Sequence, residues 1–244
     1  MPADKSSNMK AFLVLGLVGI LATTLSAADS ASQTKIRSAA KKVADQGNYS
    51  WTTSTREADG SPGKLSNIEG KAEPGGGTFL SFAVGGLPVE VYMKGDKGTA
   101  KALEGWQTFD EIAATGGTPA AVVRFLRAYQ TPASESTALA GKMSEFKEVD
   151  GVLEGALKEE AVTEFLLIGT RRREGQEPPK TSDTKGSVKF WIKDGALTKY
   201  EIKVQGKVAA GDRQNDINRT TTVEIKEVGT TKLEVPAEAK QKMS

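Results

Sequence analysis

Alternating apolar and polar residues between Ser187 and Val204 predict a β-hairpin, which is the clearest local pattern in the chain. A three-residue loop, Lys193-Asp194-Gly195, would place Val188 opposite Tyr200. In this register one face carries the apolar side chains of both arms, and the other face carries most of the lysines. The hairpin therefore predicts an antiparallel sheet with one covered face and one wet face.

Similar patterns predict the other elements. Alternation and turn residues predict strands near 49–55, 64–71, 79–84, 89–93, 148–157, 220–228 and 231–235. Apolar stripes at helical spacing predict helices at 29–46, 119–129, 134–147 and 158–168. Polar stretches near 171–186 and 205–219 are predicted to be loops. The order of helix, strands, central helices and a last hairpin indicates an α+β fold in which the central helices cover the sheet.

The first 28 residues have the features of a secretory signal peptide. Two lysines precede an uncharged run from Ala11 to Leu25, and Ser26-Ala27-Ala28 then offers small residues for cleavage before Asp29. Cleavage near Ala28 would leave one domain, residues 29–244, in the periplasm or outside the cell. The chain has no cysteine, so core burial without disulfides must stabilise this domain.

Composition excludes several classes of function. Removing residues 1–28 takes away Lys5, Lys10 and Asp4 and leaves 31 basic and 30 acidic side chains, so no basic excess suggests a nucleic-acid partner. With no histidine and no cysteine, Ser-His-Asp and Cys-His catalysis and the usual zinc sites are absent. We expect no catalytic residue, metal or cofactor. An enzyme would need paired carboxylates, which Asp110-Glu111 or Glu159-Glu160 would have to supply.

A large apolar face is expected on the covered side of the sheet. Its residues come from two hairpins and from the helix at 119–129, and they are Leu80, Phe82, Val91, Met93, Val122, Phe125, Leu126, Phe190, Ile192 and Tyr200. Such a face must be covered by helices or by a ligand. Patterning leaves both possibilities open, because the same residues could line a hydrophobic cavity or fill a core.

Four segments of the C-terminal half follow one another in a recognisable order. They are residues 150–157, 186–195, 221–225 and 235–239, with a short helix after the first. This order resembles the closing half of the LppX/LprG lipoproteins, which belong with the LolA-like carriers. The resemblance implies a strongly curved antiparallel half-barrel wrapped over helices, with an apolar cavity that carries lipids or lipoprotein acyl chains. The lipidated cysteine of the LppX/LprG proteins is missing here, and no residue matches the gate arginine of LolA.

Two hypotheses from different classes follow from these observations. The leading one is an exported, soluble, non-enzymatic carrier that binds a lipid or a lipoprotein acyl chain and makes transient contact with a membrane or a lipoprotein. The alternative is an interaction or scaffold protein of the same fold, with a packed core and no ligand. A closed apolar core without a cavity of a few hundred cubic ångströms would favour the alternative.

Overall fold

The computed structural model describes residues 19–102, 105–168, 177–211 and 213–243. The strands of this part of the chain are β1 (Tyr49–Glu57), β2 (Pro62–Ala72), β3 (Gly77–Val84), β4 (Leu87–Lys94), β5 (Lys97–Ala102), β6 (Gly105–Thr108), β7 (Met143–Val149), β8 (Val152–Leu157), β9 (Lys180–Lys193), β10 (Ala196–Ala210) and β11 (Arg213–Lys226). Its helices are α1 (Gly19–Asp45), α2 (Phe109–Ala114), α3 (Gly117–Arg127), α4 (Pro132–Gly141), α5 (Glu159–Leu167) and α6 (Ala237–Lys242).

The strands form one antiparallel sheet in the order β6-β5-β4-β3-β2-β1-β11-β10-β9-β8-β7. Strands β1 to β6 form one meander and β7 to β11 form another, and the two meet where β1 pairs with β11. The chain first runs from the centre of the sheet to the β6 edge. It then crosses to the opposite edge through α2, α3 and α4, and returns to the centre from β7. The sheet is open, with β6 and β7 as its edges, and twist accumulates over this many strands. The predicted α+β fold with an antiparallel sheet over helices is confirmed.

The helices divide between the two faces of the sheet. On the inner face α1 packs on β9, β10 and β7, α4 lies along α1, and α5 packs on β9 and β10. On the same face α2 packs on β5 and β6 and is followed by α3. One continuous hydrophobic core fills this layer. The short helix α6 packs on β5 and β6 from the outer face.

The β9–β10 hairpin has a two-residue turn, so the predicted three-residue loop is wrong. Asp194-Gly195 has φ angles of 52° and 73°, as a type I′ turn requires. A β-bulge after Leu197 then shifts the register, and Tyr200 pairs with Phe190 rather than with Val188. The bulge restores the phase of the two arms, so their apolar residues still share the inner face.

Most of the described residues in both predicted polar loops belong to strands. Residues 180–186 begin β9, and residues 205–210 and 213–219 form the far ends of β10 and β11. Residues 171–176 lie outside the described residues. The prediction failed because few apolar side chains mark this end of the sheet. Val208 is buried there and Ile217 packs against the core, but the other positions are polar, glycine or alanine.

Two further predictions are wrong: one helix is shorter than expected, and one expected strand is not formed. The helix expected at 134–147 stops at Gly141, and the following residues form β7, where Met143 pairs with Leu157. Helical spacing between Leu139 and Met143 suggested a longer helix, although both residues are buried in different elements. Residues 231–235, expected to be a strand, form no strand and run across the sheet as irregular backbone.

Helix α1 begins at Gly19 and continues through the predicted cleavage site. Its predicted apolar stripe is confirmed, and it consists of Ile36, Ala39, Ala40 and Val43, all buried. Asp29, the first residue of the predicted helix, lies within α1, and its carboxylate accepts a hydrogen bond of 3.1 Å from the backbone N–H of Phe146. The signal peptide stays a prediction. Of the helices described, none combines the length and apolarity needed to span a bilayer.

Candidate functional site

The predicted ligand-binding residues come together on the inner face of the sheet. Those that are buried in the core are Leu80, Phe82, Val91, Met93, Leu126, Phe190 and Tyr200. Those that are half-buried and pack against the core are Val122, Phe125 and Ile192. In this structure the side chains are in contact with one another as a core, so their role in holding a ligand stays a prediction.

A cleft of about 520 Å³ lies where this core approaches the surface. Its floor is formed by Thr78 and Met93, which pair directly across β3 and β4, and both side chains are almost fully buried. Its wall is the segment from the end of α3 into α4. The residues that line it are Gly76, Thr78, Met93, Gly95, Tyr129, Gln130, Thr131, Ser134, Thr137 and Ala138. Of the predicted site residues, Met93 is the one that lines the cleft.

The cleft combines an apolar floor with an uncharged polar wall. Hydroxyl groups come from Thr131, Ser134 and Thr137, an amide comes from Gln130, and Tyr129 also lines the cleft. Its lining contains no charged side chain. These groups can donate and accept hydrogen bonds, whereas the thioether of Met93 adapts to apolar shapes. The arrangement suits a molecule with an apolar part and a weakly polar part.

Behind the cleft wall, polar groups join the helices to the sheet within the core. The indole N–H of Trp51 donates a 3.0 Å hydrogen bond to the Tyr129 hydroxyl. The Tyr200 hydroxyl donates to the carboxylate of Glu135, which lies in the first turn of α4. Burial raises the pKa of Glu135, and the Tyr200 bond and nearby Lys142 oppose this shift. Burial also raises the pKa of Tyr129 and of Tyr200.

Trp51 is positioned by the backbone of the neighbouring strand. A Cβ atom at Gly70 would lie 2.0 Å from Cε2 of Trp51, so the indole ring lies directly against β2 at a position where only glycine fits. The ring also packs against Tyr49 at a centroid distance of 5.4 Å. This close approach aims the indole N–H at Tyr129 and thereby connects β1 with the cleft wall.

Helix α3 covers the sheet through its side chains. Val123 and Leu126 are buried, whereas Phe125 is half-buried and meets Tyr129 edge-on at 5.9 Å. The backbone of α3 lies close to the backbone of α2. Among the described residues, it lies less close to the backbone of any strand. Gly116 and Gly117 connect α2 to the start of α3. Both have positive φ angles, 71° and 58°. This part of the cover is thus joined to its neighbour by a glycine link.

The carboxylate pairs considered for catalysis have structural contacts. Asp110 forms a 2.5 Å ion pair with Arg127, and Glu111 completes a capping box with Thr108 at the start of α2. Glu159-Glu160 is exposed in the first turn of α5. Trp191 also lies away from the cleft, because it is on the outer face of β9, where the Lys199 ammonium is 4.6 Å from its ring centroid. The arginines at 171–173 lie outside the described residues.

Sequence reasoning missed two polar residues on the covered face. Glu135 lies four residues before Leu139, so the helical spacing could have indicated that it faces the core. Arg219 lies on β11, and its guanidinium donates to the Phe165 carbonyl near the end of α5. Burial lowers the pKa of Arg219. No local signal could have identified Arg219, because the stretch around it resembled a polar loop.

Comparison with known proteins gives similarity in structure alone. No protein-family profile matches the sequence, and no curated protein is significantly similar to it. The lipoprotein LppX of Mycobacterium tuberculosis is similar with a TM-score of 0.44 and 11% identity, over 85% of this chain and 100% of LppX. LprF from Mycobacterium bovis is similar with a TM-score of 0.44 and 10% identity, over 86% of this chain and 98% of LprF. Fold alone does not determine function.

Proposed function

We propose that this protein is an exported, soluble, non-enzymatic binder of a hydrophobic ligand, either a lipid or a lipoprotein acyl chain. The observation that supports this proposal is the position of Met93. Its side chain is only 4% exposed and belongs to the core, yet it also forms the floor of the cleft. An acyl chain entering the cleft would therefore meet the apolar inner face of the sheet directly.

The route for the chain runs from Met93 beneath α3. Val122 and Phe125 are half-buried on that helix, so they can move outward at a smaller cost than the fully buried Leu126. Each methylene group withdrawn from water contributes about 0.8 kcal/mol. A dozen carbons would thus contribute roughly 10 kcal/mol before the costs of ordering and association. This gain would offset the cost of displacing the half-buried side chains of α3.

The hydroxyl groups of the cleft wall would contact the polar end of the ligand. Thr131 and Ser134 lie where a chain that has its tail beneath α3 would place its ester or head group. The cleft is open to solvent on this side. A carried lipid could therefore be transferred head-first to a membrane or to a lipoprotein, with which we expect transient contact.

The alternative function is supported by the packing of the core. Phe190 and Tyr200 are fully buried and their rings are 6.1 Å apart, without space for a ligand between them. A protein in which α3 never moves would be an interaction or scaffold protein of the same fold. The two functions differ in whether the mature protein takes up an acyl chain.

Native mass spectrometry of the mature protein, purified gently from its own exported compartment and followed by lipid extraction, tests the proposal. We expect a stoichiometric acyl-bearing adduct and uptake of a fluorescent fatty acid. Ser134→Trp would obstruct the cleft from its exposed rim and is expected to reduce uptake at least about tenfold, which corresponds to about 1.4 kcal/mol. Ser38→Trp on the exposed side of α1 is the matched control and should bind like the wild type. A clean apo mass with no fatty-acid uptake would instead support the packed-core interaction protein.

A further inference from the structure

The outer face of the sheet carries a buried contact that is separate from the core. Trp106 in β6 pairs with Lys101, and Lys101 pairs with Glu90, so these side chains point away from the core residue Val91. Trp106 is nevertheless only 6% exposed, and Ala239 in α6 is fully buried. Neither residue belongs to the core. Helix α6 therefore covers the outer face of the sheet at its β6 edge.

Residues 231–243, which we call the C-terminal strap, connect the centre of the sheet with this edge. At the start of the strap, the Asn48 side-chain amide donates a 2.7 Å hydrogen bond to the Thr231 carbonyl. At its end, the Lys242 ammonium contacts the Glu111 carboxylate at 2.9 Å. Glu111 also caps α2 through the backbone N–H of Thr108. The strap thus ties β1 to the junction of β6 with α2.

The middle of the strap is less closely packed than its ends. A groove of about 380 Å³ lies between residues 232–234 of the strap and the outer side chains of Lys71 and Phe79. Leu233 is half-buried there, whereas Lys232 and Glu234 are exposed. A segment with two anchored ends and a loosely seated middle can leave the surface without disturbing the core beneath.

The strap lies behind the cleft. Phe79 and Tyr92 pair across β3 and β4 on the outer face, and their neighbours Thr78 and Met93 pair on the inner face as the cleft floor. The anchored end of the strap holds α2, which leads through α3 to Tyr129 in the cleft wall. The strap thus contacts β3, which carries part of the cleft floor, and α2, which leads through α3 to the cleft wall.

From this geometry we infer that the C-terminal strap controls ligand exchange: the docked strap holds α2 and α3 over the bound chain, and its release allows them to open. The inference rests on the proposed function, because it concerns the ligand of the same cleft. Release requires no contact with the ligand itself. It removes the support of β6 and of the α2 cap, which in turn lowers the barrier to movement at the Gly116-Gly117 link.

The test uses the mature chain with Ala239→Glu, which places a carboxylate where α6 is fully buried. Gln241→Glu is the control, since it adds the same charge to the same helix at an exposed position. Hydrogen exchange of residues 105–127 reports on α2 and α3, and the dissociation rate of a fluorescent fatty acid reports on exchange of the ligand. We expect Ala239→Glu to increase hydrogen exchange in this region and to speed dissociation at least about fivefold. Gln241→Glu should change neither quantity.

A chain ending at Thr230 provides a second variant in which the strap is absent, and protection of β9 to β11 shows that each variant is folded. Unchanged dissociation from this shortened chain would overturn the inference and leave the proposed function intact. Unchanged exchange of residues 105–127 would overturn it as well. If the wild type takes up no fatty acid, the proposed function fails, and ligand control by the strap fails with it, whatever the hydrogen exchange shows.

Discussion

Individual polar side chains inside the core connect the helices to the sheet. Glu135 of α4 accepts from the Tyr200 hydroxyl, and Tyr129 accepts from the indole N–H of Trp51. A buried carboxylate is costly when ionised, but a hydroxyl donor reduces that cost. Most of the core residues could be predicted from alternation along the strands. These particular pairs could not, because the partners are far apart in the chain.

Replacing Glu135 with glutamine should flatten the dependence of stability on pH. Burial raises the pKa of Glu135 in the folded state, so the folded protein binds a proton that the unfolded chain has released. The free energy of unfolding should therefore fall as the pH rises from the unfolded pKa through the folded pKa. Urea unfolding of wild type and Glu135→Gln across this range measures the effect. Glu69→Gln, at an exposed strand position, should keep the wild-type profile, and an equally steep profile in Glu135→Gln would contradict the assignment.

A methyl group at Gly70 should destabilise the protein. Because its Cβ would lie 2.0 Å from the indole of Trp51, the ring must move and lose its bond to Tyr129. We expect Gly70→Ala to lower the free energy of unfolding by about 1–3 kcal/mol, with a changed tryptophan emission. Gly141→Ala is the control, since its Cβ would approach only the end of the Arg37 side chain at 3.3 Å. Equal stability of the two variants would show that Trp51 is not held against β2.

Among the elements, strands and helices with a regular apolar stripe agreed with prediction. The errors occurred at a turn and bulge, where strand pairing replaced the end of a helix, and where few apolar side chains mark the ends of strands. The β9–β10 arms share a face as expected, although a type I′ turn and a bulge produce that result. Helix α4 ends before the predicted residue because Met143 joins an edge strand. Local spacing describes which way side chains point within one element. It does not describe where pairing with another strand begins.

The β9–β10 turn should depend on glycine at one of its two central positions. Gly195 has a φ of 73°, and a Cβ there would be 3.7 Å from the Lys42 ammonium, so there is space but the backbone is strained. We expect Gly195→Ala to cost about 1–2 kcal/mol of unfolding free energy. Asp194→Gly relieves a positive φ of 52° and should be nearly neutral, because the gain is offset by the entropy of the unfolded chain. Thermal unfolding of both variants compares them, and a neutral Gly195→Ala would refute the type I′ assignment.

At the scale of the whole molecule, the path of the chain explains why the cleft exists. The central helices cross the inner face between the two edges of the sheet, and the cleft lies between this crossing segment and the ends of β3 and β4. The C-terminal strap crosses the same strands on the outer face. The cover on the inner face and the strap on the outer face therefore meet at the junction of β6 with α2.

The sequence by itself determined the apolar arms of the β9–β10 hairpin, the apolar stripe of α1, the position of α3 and the set of inner-face residues, because each depends on side-chain periodicity within a few neighbouring residues. It also determined which chemistry is absent, through the lack of histidine and cysteine. The tertiary structure decided that Glu135 meets Tyr200, that Met93 lies under a cleft, and that the last residues cross the outer face instead of adding a strand. These features are contacts between residues distant in the chain, and their energies arise only when the sheet has assembled.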